Sequence, residues 1–484
     1  MPQLESRQSA EQASVIKLVA RKKWLLFVAL TCSILWFSGY LQREIQFFQG
    51  KPPAAMVDFR VYYVAGLVAR QQDDKRLYAY HEVSDLSHSK KKSIVNPQLD
   101  FANPDSTFAR LSESTFPSET EKPFAITQYL YPPFFSILIS PLTHLPYQSA
   151  AHVWYILTFL FLGLSVFLTV RMINENFLIA VLAAGFILFL AEFAFPMQDL
   201  LLVGNVGVLI LFFCTAGVYL QKNNRPTSSA LLVTLAIFVK LTPVIIIPLM
   251  IMRRQWKWLT AFVGWSVLLF VISLWQLGWE NHQEFITKIM PAMSNGIAEH
   301  NNRSLLSLFQ FIEMRKIPTV EDIESGAVII TAGSTVPFKI FAGLILLGVL
   351  YYLWRVNKTS SELITELFLL LLLTLVVSPV SWRHGYVLAI APLIFMWLHP
   401  LTQKWSVAEL FILTAATVSI FSVLPDYALS VSNVFLFQML MISVMPTGVL
   451  ISMFLLFKIL RHSGNALHNK IILQNPSENA AANN

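Results

Sequence analysis

Charged side chains are scarce in this chain. Asp, Glu, Lys and Arg together make up 13% of the 484 residues, against roughly 25% in a typical water-soluble domain. Hydrophobic residues make up 55%, and the mean hydropathy is +0.58. A chain of this composition cannot cover its surface with polar groups, so a water-soluble enzyme is excluded and a protein embedded in lipid is indicated.

Cysteines are also few. Cys32 and Cys214 are the only two, and both lie inside apolar runs, so neither a disulfide framework nor a cysteine metal site is predicted. The acidic pair Asp73-Asp74 lies in a polar stretch rich in Lys and Arg. We therefore predict no metal site and no cofactor. The net charge of +7 is scattered between apolar segments, which argues against nucleic acid as a partner.

Apolar runs of membrane-spanning length recur along the whole chain. Twelve spans are predicted, at about 24–41, 129–146, 150–171, 177–196, 200–220, 229–250, 257–277, 337–354, 363–380, 384–399, 405–425 and 434–457. The second is short and interrupted by Pro132, Pro133 and Pro141, so a re-entrant segment is an alternative there. The expected fold class is an all-α polytopic membrane protein, with a transmembrane domain over 24–457 between tails at 1–23 and 458–484.

The basic residues of the short connections predict the orientation. With the N-terminus in the cytoplasm, the inner segments hold Arg7, Lys17, Arg21, Lys22, Lys23, Arg253, Arg254, Lys257, Arg355, Lys358, Lys404, Lys458, Arg461 and Lys470. The short outer connections then hold only Arg171, Lys222, Arg225 and Arg383. This bias of fourteen to four predicts that both termini are cytoplasmic and that the long loops, 42–128 and 278–336, face outward.

Asp58 is an acid in a strip that otherwise suits a lipid surface. The stretch around it, about 54–69, is too short to span and too aromatic to be solvated, so an interfacial helix is predicted. A carboxyl group beside an apolar phase has a raised pKa and suits proton transfer. The alternative is a solvated acid paired with Arg60 or with a lipid headgroup.

Two further polar clusters fall on the same predicted side as Asp58. Asn302, Arg303 and Ser304 lie in the second long loop. Trp382, Arg383 and His384 lie in an outer turn between two predicted spans. One choice of orientation brings these distant segments to one face, which is the pattern expected of a composite site.

Several short motifs, in this order, resemble glycosyltransferase family 87. They are Asp58-Phe59 with Tyr62-Tyr63, Tyr131-Pro132-Pro133, Gly204-Asn205-Val206, Lys240-Leu241-Thr242-Pro243, Asn302-Arg303-Ser304-Leu305 and Ser378-Pro379 followed by Trp382 and His384. The resemblance implies a polyprenol-phosphate-mannose-dependent mannosyltransferase of the GT-C superfamily. It would act at the outer face of a bacterial inner membrane, on a polyprenyl-phosphate sugar donor and a lipid or glycan acceptor.

Such a transfer needs a base for the incoming hydroxyl and a cation for the leaving phosphate. Asp58 is the predicted base. Arg303, Arg383, His384 and Lys240 are the candidates for the phosphate, and Tyr62, Tyr131, Asn302, Ser304 and Trp382 complete the predicted substrate site. Because the leaving group is a lipid monophosphate, no metal is required.

Structural alternatives stand beside these roles. Lys240 is central in its predicted span and could pair with Glu192. Asn302-Arg303-Ser304 also fits a glycosylation sequon or a loop cap, and Tyr131-Pro132-Pro133 fits a helix start. Tyr62, Tyr63, Trp382 and His384 fit membrane-surface anchors. At the level of the whole chain, the alternatives are a secondary transporter and a flippase or ligase for lipid-linked glycans.

Overall fold

The computed structural model describes residues 23–25, 27–28, 30–32, 34–35, 56–71, 75–78, 81–82, 99–100, 107–116, 129–191, 194–296, 298, 301–315, 317, 335–356, 363–431 and 434–474. Within them the chain is an all-α polytopic membrane protein, with one two-residue strand pair as the exception. That pair joins β1 (His81–Glu82) to β2 (Leu99–Asp100) in antiparallel register.

The first half contains eleven helices within the described residues, and from Pro133 onward they follow one another with short breaks. They are α1 (Lys23–Cys32), α2 (Val57–Arg70), α3 (Thr107–Thr115), α4 (Pro133–Ile139), α5 (Tyr147–Ile173), α6 (Phe177–Ala191), α7 (Phe195–Val203), α8 (Gly207–Lys222), α9 (Pro226–Val239), α10 (Ile246–Met252) and α11 (Trp256–Glu284). Short 3₁₀ segments, Ser140–His144 and Thr242–Ile245, precede α5 and α10.

The second half continues after a π-helical turn at Phe285–Ile289. Its helices are α12 (Met290–Ser294), α13 (Leu305–Met314), α14 (Thr335–Val356), α15 (Leu363–Val377), α16 (Ile390–Leu398), α17 (Val407–Phe421), α18 (Leu424–Val431) and α19 (Phe435–Gln474). The segments Arg383–Ala389 and Thr402–Lys404 are 3₁₀ helices. Thus α19 continues well beyond the predicted span end at 457.

Four helical segments of the described chain are long and apolar enough to cross a bilayer by themselves: Tyr147–Ile173, Trp256–Ser294, Thr335–Arg355 and Phe435–His462. A fifth is possible if α7 and α8, bent by 118°, form one broken span. The other predicted crossings correspond to shorter apolar helices. At the centre lies α15, where every side chain from Thr365 to Val376 is buried, as expected of a helix that is apolar all round.

The predicted span 129–146 does not cross the bundle. Its two ends contact neighbouring residues of the same helix, because the Tyr131 hydroxyl bonds that of Tyr62 and the Leu145 carbonyl accepts from Tyr63. Between these contacts α4 has only seven residues before the 3₁₀ turn, far short of the about 20 that a crossing needs. The segment is re-entrant, the alternative that its prolines suggested.

The predicted span 229–250 is broken as well. The helix α9 ends at Val239, and Pro243 prevents its continuation because the ring would clash with the carbonyl four residues earlier. Lys240 therefore lies at a helix break instead of the middle of a span. From there the chain runs back through α10 to Arg253, which pairs with Glu366 at the start of α15.

The re-entrant segment 129–146 and the helix break at Lys240 together reverse the predicted direction of the helices that lie between them. The helix α8 begins beside Asn205, which contacts Asp58, and ends about 24 Å away at Lys222. The Lys222 ammonium donates to the carbonyl of Met172 at the end of α5. Arg171, Lys222 and Arg225 thus lie on the face opposite Asp58. Their predicted placement on the Arg383 side is wrong, whereas the helices after α10 keep the predicted direction.

Candidate active site

Asp58 lies in the first turn of α2, where the positive end of the helix dipole favours a carboxylate. Its side chain is 27% exposed. The next residue, Phe59, is fully buried and stacks on Trp154 with 5.3 Å between ring centroids. This packing fixes the start of α2, so Asp58 is held at the edge of a rigid aromatic core.

Asn205 donates to Asp58 across the bend between α7 and α8. Its Nδ2 lies 2.6 Å from Asp58 Oδ2, and its own Oδ1 accepts from the Gly207 amide at 2.9 Å. Gly204 makes the bend possible, with φ of 72° and space so limited that an added Cβ would lie 2.8 Å from Phe59 Cβ. The bend therefore presents a fixed donor to the carboxylate.

Two tyrosines stand behind this pair. The hydroxyls of Tyr62 and Tyr131 are 2.8 Å apart, and each lies 3.4 Å from Asn205 Nδ2. Tyr62 is 1% exposed, which does not fit a membrane-surface anchor, and Tyr131 is half-buried. Burial raises the pKa of both hydroxyls, so both remain protonated donors. Only Tyr131 has a face open to a substrate.

His384 faces two carboxylates. Its Nδ1 lies 3.3 Å from Asp199 Oδ2, and its Nε2 lies 4.0 Å from Asp58 Oδ2. The ring is buried, which does not fit an interfacial anchor, and among the described residues Nε2 has no hydrogen-bond partner. Asp199 thereby orients the imidazole and favours a proton on Nδ1. The unpartnered nitrogen is directed to the region of Asp58.

Two arginines share a second carboxylate. Asp426 Oδ1 is 2.6 Å from Arg303 Nη2 and 2.9 Å from Arg383 Nη1. The other terminal nitrogen of Arg383 lies 2.9 Å from Asp199 Oδ1. Arg303 is 1% exposed, and the Tyr386 hydroxyl donates to its carbonyl at 2.7 Å. These ion pairs link Asp426 on α18 and Asp199 on α7 to Arg383 and to Arg303, which lies in the loop before α13. The network lies behind His384.

Asn302 and Ser304 are fully buried and close the loop on itself. Asn302 Oδ1 accepts from the amides of Ser381 and Ser304, at 2.9 and 3.1 Å. Ser304 caps α13 by accepting from Ser307 N, and its hydroxyl donates to Pro379 O at 2.9 Å. The loop-cap alternative fits this geometry, while a glycosylated sequon does not, because its asparagine is 0% exposed.

Lys240 and Trp382 complete the group. Lys240 is half-buried and interacts electrostatically with Asp58, and within the described residues no carboxylate lies within 4 Å of it. Glu192, its predicted partner, lies outside the described residues. Trp382 is also half-buried, and its ring is nearly parallel to that of His384 with 6.4 Å between centroids. Both side chains are accessible to a ligand.

The charges of the site divide into two kinds. Asp199 and Asp426 are paired with Arg303 and Arg383, so these four residues form a neutral scaffold. His384 Nε2 lies 4.0 Å from Asp58, and Lys240 interacts with the same carboxyl group electrostatically. Burial raises the pKa of Asp58, and the positive charge of His384 and the Asn205 hydrogen bond lower it in part. A carboxyl group of this kind is suited to accept a proton.

The structure thus brings together most of the predicted site residues but adds three that the sequence reasoning did not select as site residues: Asn205, Asp199 and Asp426. Asp199 and Asp426 both carried a signal, since each is a lone acid next to a predicted span. No group of three His, Cys, Asp or Glu side chains that could hold a metal ion occurs in the described part of the chain.

The comparisons with known proteins indicate the family of the chain. The chain matched no curated protein and no solved structure. The model of glycosyltransferase family 87 matches residues 129–379, slightly more than half of the chain. The match includes Tyr131, Asp199, Asn205, Lys240 and Arg303, and ends just before the Trp382–His384 turn. The chain belongs to glycosyltransferase family 87, so it is a membrane glycosyltransferase that uses a sugar donor and an acceptor.

Proposed function

We propose that this protein transfers a hexose, most specifically mannose, from a polyprenyl-phosphate carrier to a lipid or glycan acceptor at the outer face of the membrane. The observation that carries the proposal is the placement of a carboxylate, a histidine and a lysine in one partly open site. Asp58 lies 4.0 Å from His384 Nε2 and interacts electrostatically with Lys240. A base and a phosphate-binding charge are the two groups that the reaction needs.

In the proposed step, Asp58 removes the proton of the acceptor hydroxyl. None of the hydrogen bonds within the described residues ends on Asp58 Oδ1, so that oxygen is free to receive it. The hydroxyl oxygen attacks the anomeric carbon while the bond from that carbon to the phosphate oxygen breaks. The electron pair stays on the leaving polyprenyl phosphate, and Lys240 and protonated His384 stabilise its charge.

One of the predicted phosphate ligands, Arg303, takes a different role in this scheme, while Arg383 keeps its predicted role. Arg303 is buried and paired with Asp426, and Arg383 is paired with both Asp426 and Asp199. We assign Arg303 to positioning and leave Arg383, which is 21% exposed, as a phosphate contact at the edge of the site. Asn302 and Ser304 shape the loop, Tyr62 supports Asn205 and Tyr131, and Trp382 offers a ring face to a sugar.

The corrected helix directions support an outward site. With Arg171, Lys222 and Arg225 moved to the face opposite Asp58, Arg383 is the only one of the four that remains on the Asp58 face, and it belongs to the site itself. Positive charge in short connections marks the cytoplasmic side, so the Asp58 face is the extracytoplasmic one.

The test uses purified protein in vesicles with polyprenyl-phosphate-[³H]mannose and a lipid extract as the source of acceptor. Release of polyprenyl phosphate together with labelled product supports the transferase. Uptake of label without release would instead indicate a transporter or flippase. Asp58→Asn should reduce transfer by at least about 10²-fold with normal expression and elution, while Glu280→Gln, at an exposed acid of α11, should behave as wild type. Wild-type turnover in Asp58→Asn would remove Asp58 from the mechanism.

A further inference from the structure

A pocket with charged side chains in its lining lies at the end of the bundle opposite Asp58. It occupies about 170 Å³ and is lined by Lys404, Trp405 and Glu409 together with Lys458 and His462; we call it the Lys404 pocket. The helix α16 leads from the 3₁₀ segment at His384 to this end, and α19 leads there from the region of Asp426. The pocket is therefore separated from Asp58 by the length of these helices.

Both oxygens of Glu409, the one carboxylate among the described residues that line the pocket, already have partners. Glu409 Oε2 accepts from the amide and the hydroxyl of Ser406, at 2.6 and 2.9 Å, in a capping box at the start of α17. Its Oε1 pairs with Lys458. One acid thus satisfies one base and one helix end. No charge remains on Glu409 to neutralise the other bases that line the cavity.

Those other bases are accessible. Lys404 is exposed and forms no ion pair within the described part of the chain, and His462, also exposed, bonds through Nδ1 to the Lys458 carbonyl at 2.9 Å. The buried Trp405 forms the floor, with its ring centroid 5.8 Å from Lys458 Nζ. The cavity thus combines a surplus of positive charge with an aromatic wall at the end of a membrane span.

Apolar side chains continue from the pocket along the outside of the bundle. Val407 and Phe411 on α17 are 55% and 62% exposed, and Phe454, one turn before Lys458 on α19, is 65% exposed. A free phosphate ion would use only the charged cavity. A phospholipid would use both parts, with its phosphate among the bases and its acyl chains against this apolar surface.

We propose that the Lys404 pocket binds the phosphate headgroup of an anionic phospholipid in the leaflet opposite the active site. Lys404 and His462 contact the phosphate, Lys458 contributes its remaining donors, and Trp405 packs against the glycerol region. The site is separate from sugar transfer, so it does not depend on the function proposed above.

The experiment measures lipid retention by native mass spectrometry of the full-length protein, after exchange into phosphatidylglycerol or phosphatidylcholine. We expect one retained phosphatidylglycerol and no retained phosphatidylcholine. The double variant Lys404→Gln/His462→Gln should lower phosphatidylglycerol affinity by at least about fivefold, since a single lysine near an anionic lipid surface contributes about 1 kcal/mol. Lys458 is left intact because its pairing with Glu409 supports the fold.

The matched control is Arg254→Gln/Lys257→Gln, which removes two exposed bases from the same face, one in the turn before α11 and one in its first turn. It should bind as wild type. Equal loss in both double variants, or equal retention of the two lipids, would overturn the proposal in favour of general surface attraction. Excess inorganic phosphate should leave the lipid bound; its displacement of the lipid would identify a free-anion site instead.

Discussion

His384 Nδ1 lies 3.3 Å from Asp199 Oδ2, although the two residues are 185 positions apart in the chain. Nε2 of the same ring lies 4.0 Å from Asp58 and has no hydrogen-bond partner in the part of the chain that the structure describes. A buried acid thereby sets the orientation of the imidazole that faces the proposed base. The predictions below test the roles that follow from this arrangement.

The pH dependence of transfer should report Asp58. Burial raises its pKa above the ordinary aspartate value of about 3.9, and only the deprotonated form can accept a proton. Activity should therefore fall as the pH decreases through this raised pKa. The acidic side of the pH–rate profile should thus lie at higher pH than it would for a solvated aspartate. The measurement is kcat/KM against pH with the lipid-linked donor.

Replacing His384 should shift the acidic side of the pH–rate profile. The histidine charge lowers the pKa of Asp58, so His384→Gln should shift this side of the profile to higher pH as well as reduce the rate. A lower rate with an unchanged pH–rate profile would show that the two groups do not interact during catalysis.

Asp199 should act through His384 and Arg383. The variant Asp199→Asn keeps the shape and one acceptor but removes the charge that orients the imidazole and pairs the guanidinium. We expect kcat to fall by about 10²-fold, the lower range for losing a positioned acid–base group, with donor KM little changed. A fall in thermal stability with kcat retained per folded molecule would assign Asp199 to the scaffold alone.

Lys240 should support the leaving phosphate. Lys240→Gln should lower kcat/KM for the donor by about 10²-fold, typical of removing one stabilising charge from a reacting anion, and Lys240→Arg should recover part of the loss. The control is Lys339→Gln, since Lys339 is an exposed lysine near Ser294. Equal effects of the two glutamine variants would contradict a phosphate contact.

Asp426 should contribute mainly to stability. Removing it by Asp426→Leu leaves the buried Arg303 guanidinium without its carboxylate, which costs about 3–5 kcal/mol when a buried pair is broken. The double variant Arg303→Met/Asp426→Leu should recover much of this loss. Thermal unfolding in detergent measures both, and additive losses would show that the pair is not coupled.

Transfer should not require a divalent metal, because the leaving group is a monophosphate that protein cations can stabilise. Activity should survive dialysis against EDTA, measured as release of polyprenyl phosphate. Loss of activity that added Mg²⁺ or Mn²⁺ restores would contradict the metal-free scheme.

The sequence was sufficient to predict the fold class and the central acid. Apolar runs of membrane length require helices, because lipid offers no partner for an unpaired backbone group. Asp58 could be selected from the sequence because placing a carboxyl group among apolar residues costs free energy, so such a residue is a candidate for a functional role. The family motifs also pointed to the segments that meet around it.

Only the tertiary structure decided which polar residues face the site and which support it. Asn302 and Ser304 have the same chemistry as ligand-binding groups, but the backbone takes up their bonds: Asn302 accepts from two amides, and the Ser304 hydroxyl donates to the carbonyl of Pro379. Asp199 and Asp426 became functional candidates only when distant helices placed them beside Arg383. Helix direction likewise depended on the two breaks, near Pro132 and at Lys240, because hydropathy measures the length of an apolar run and carries no information about where the chain turns back.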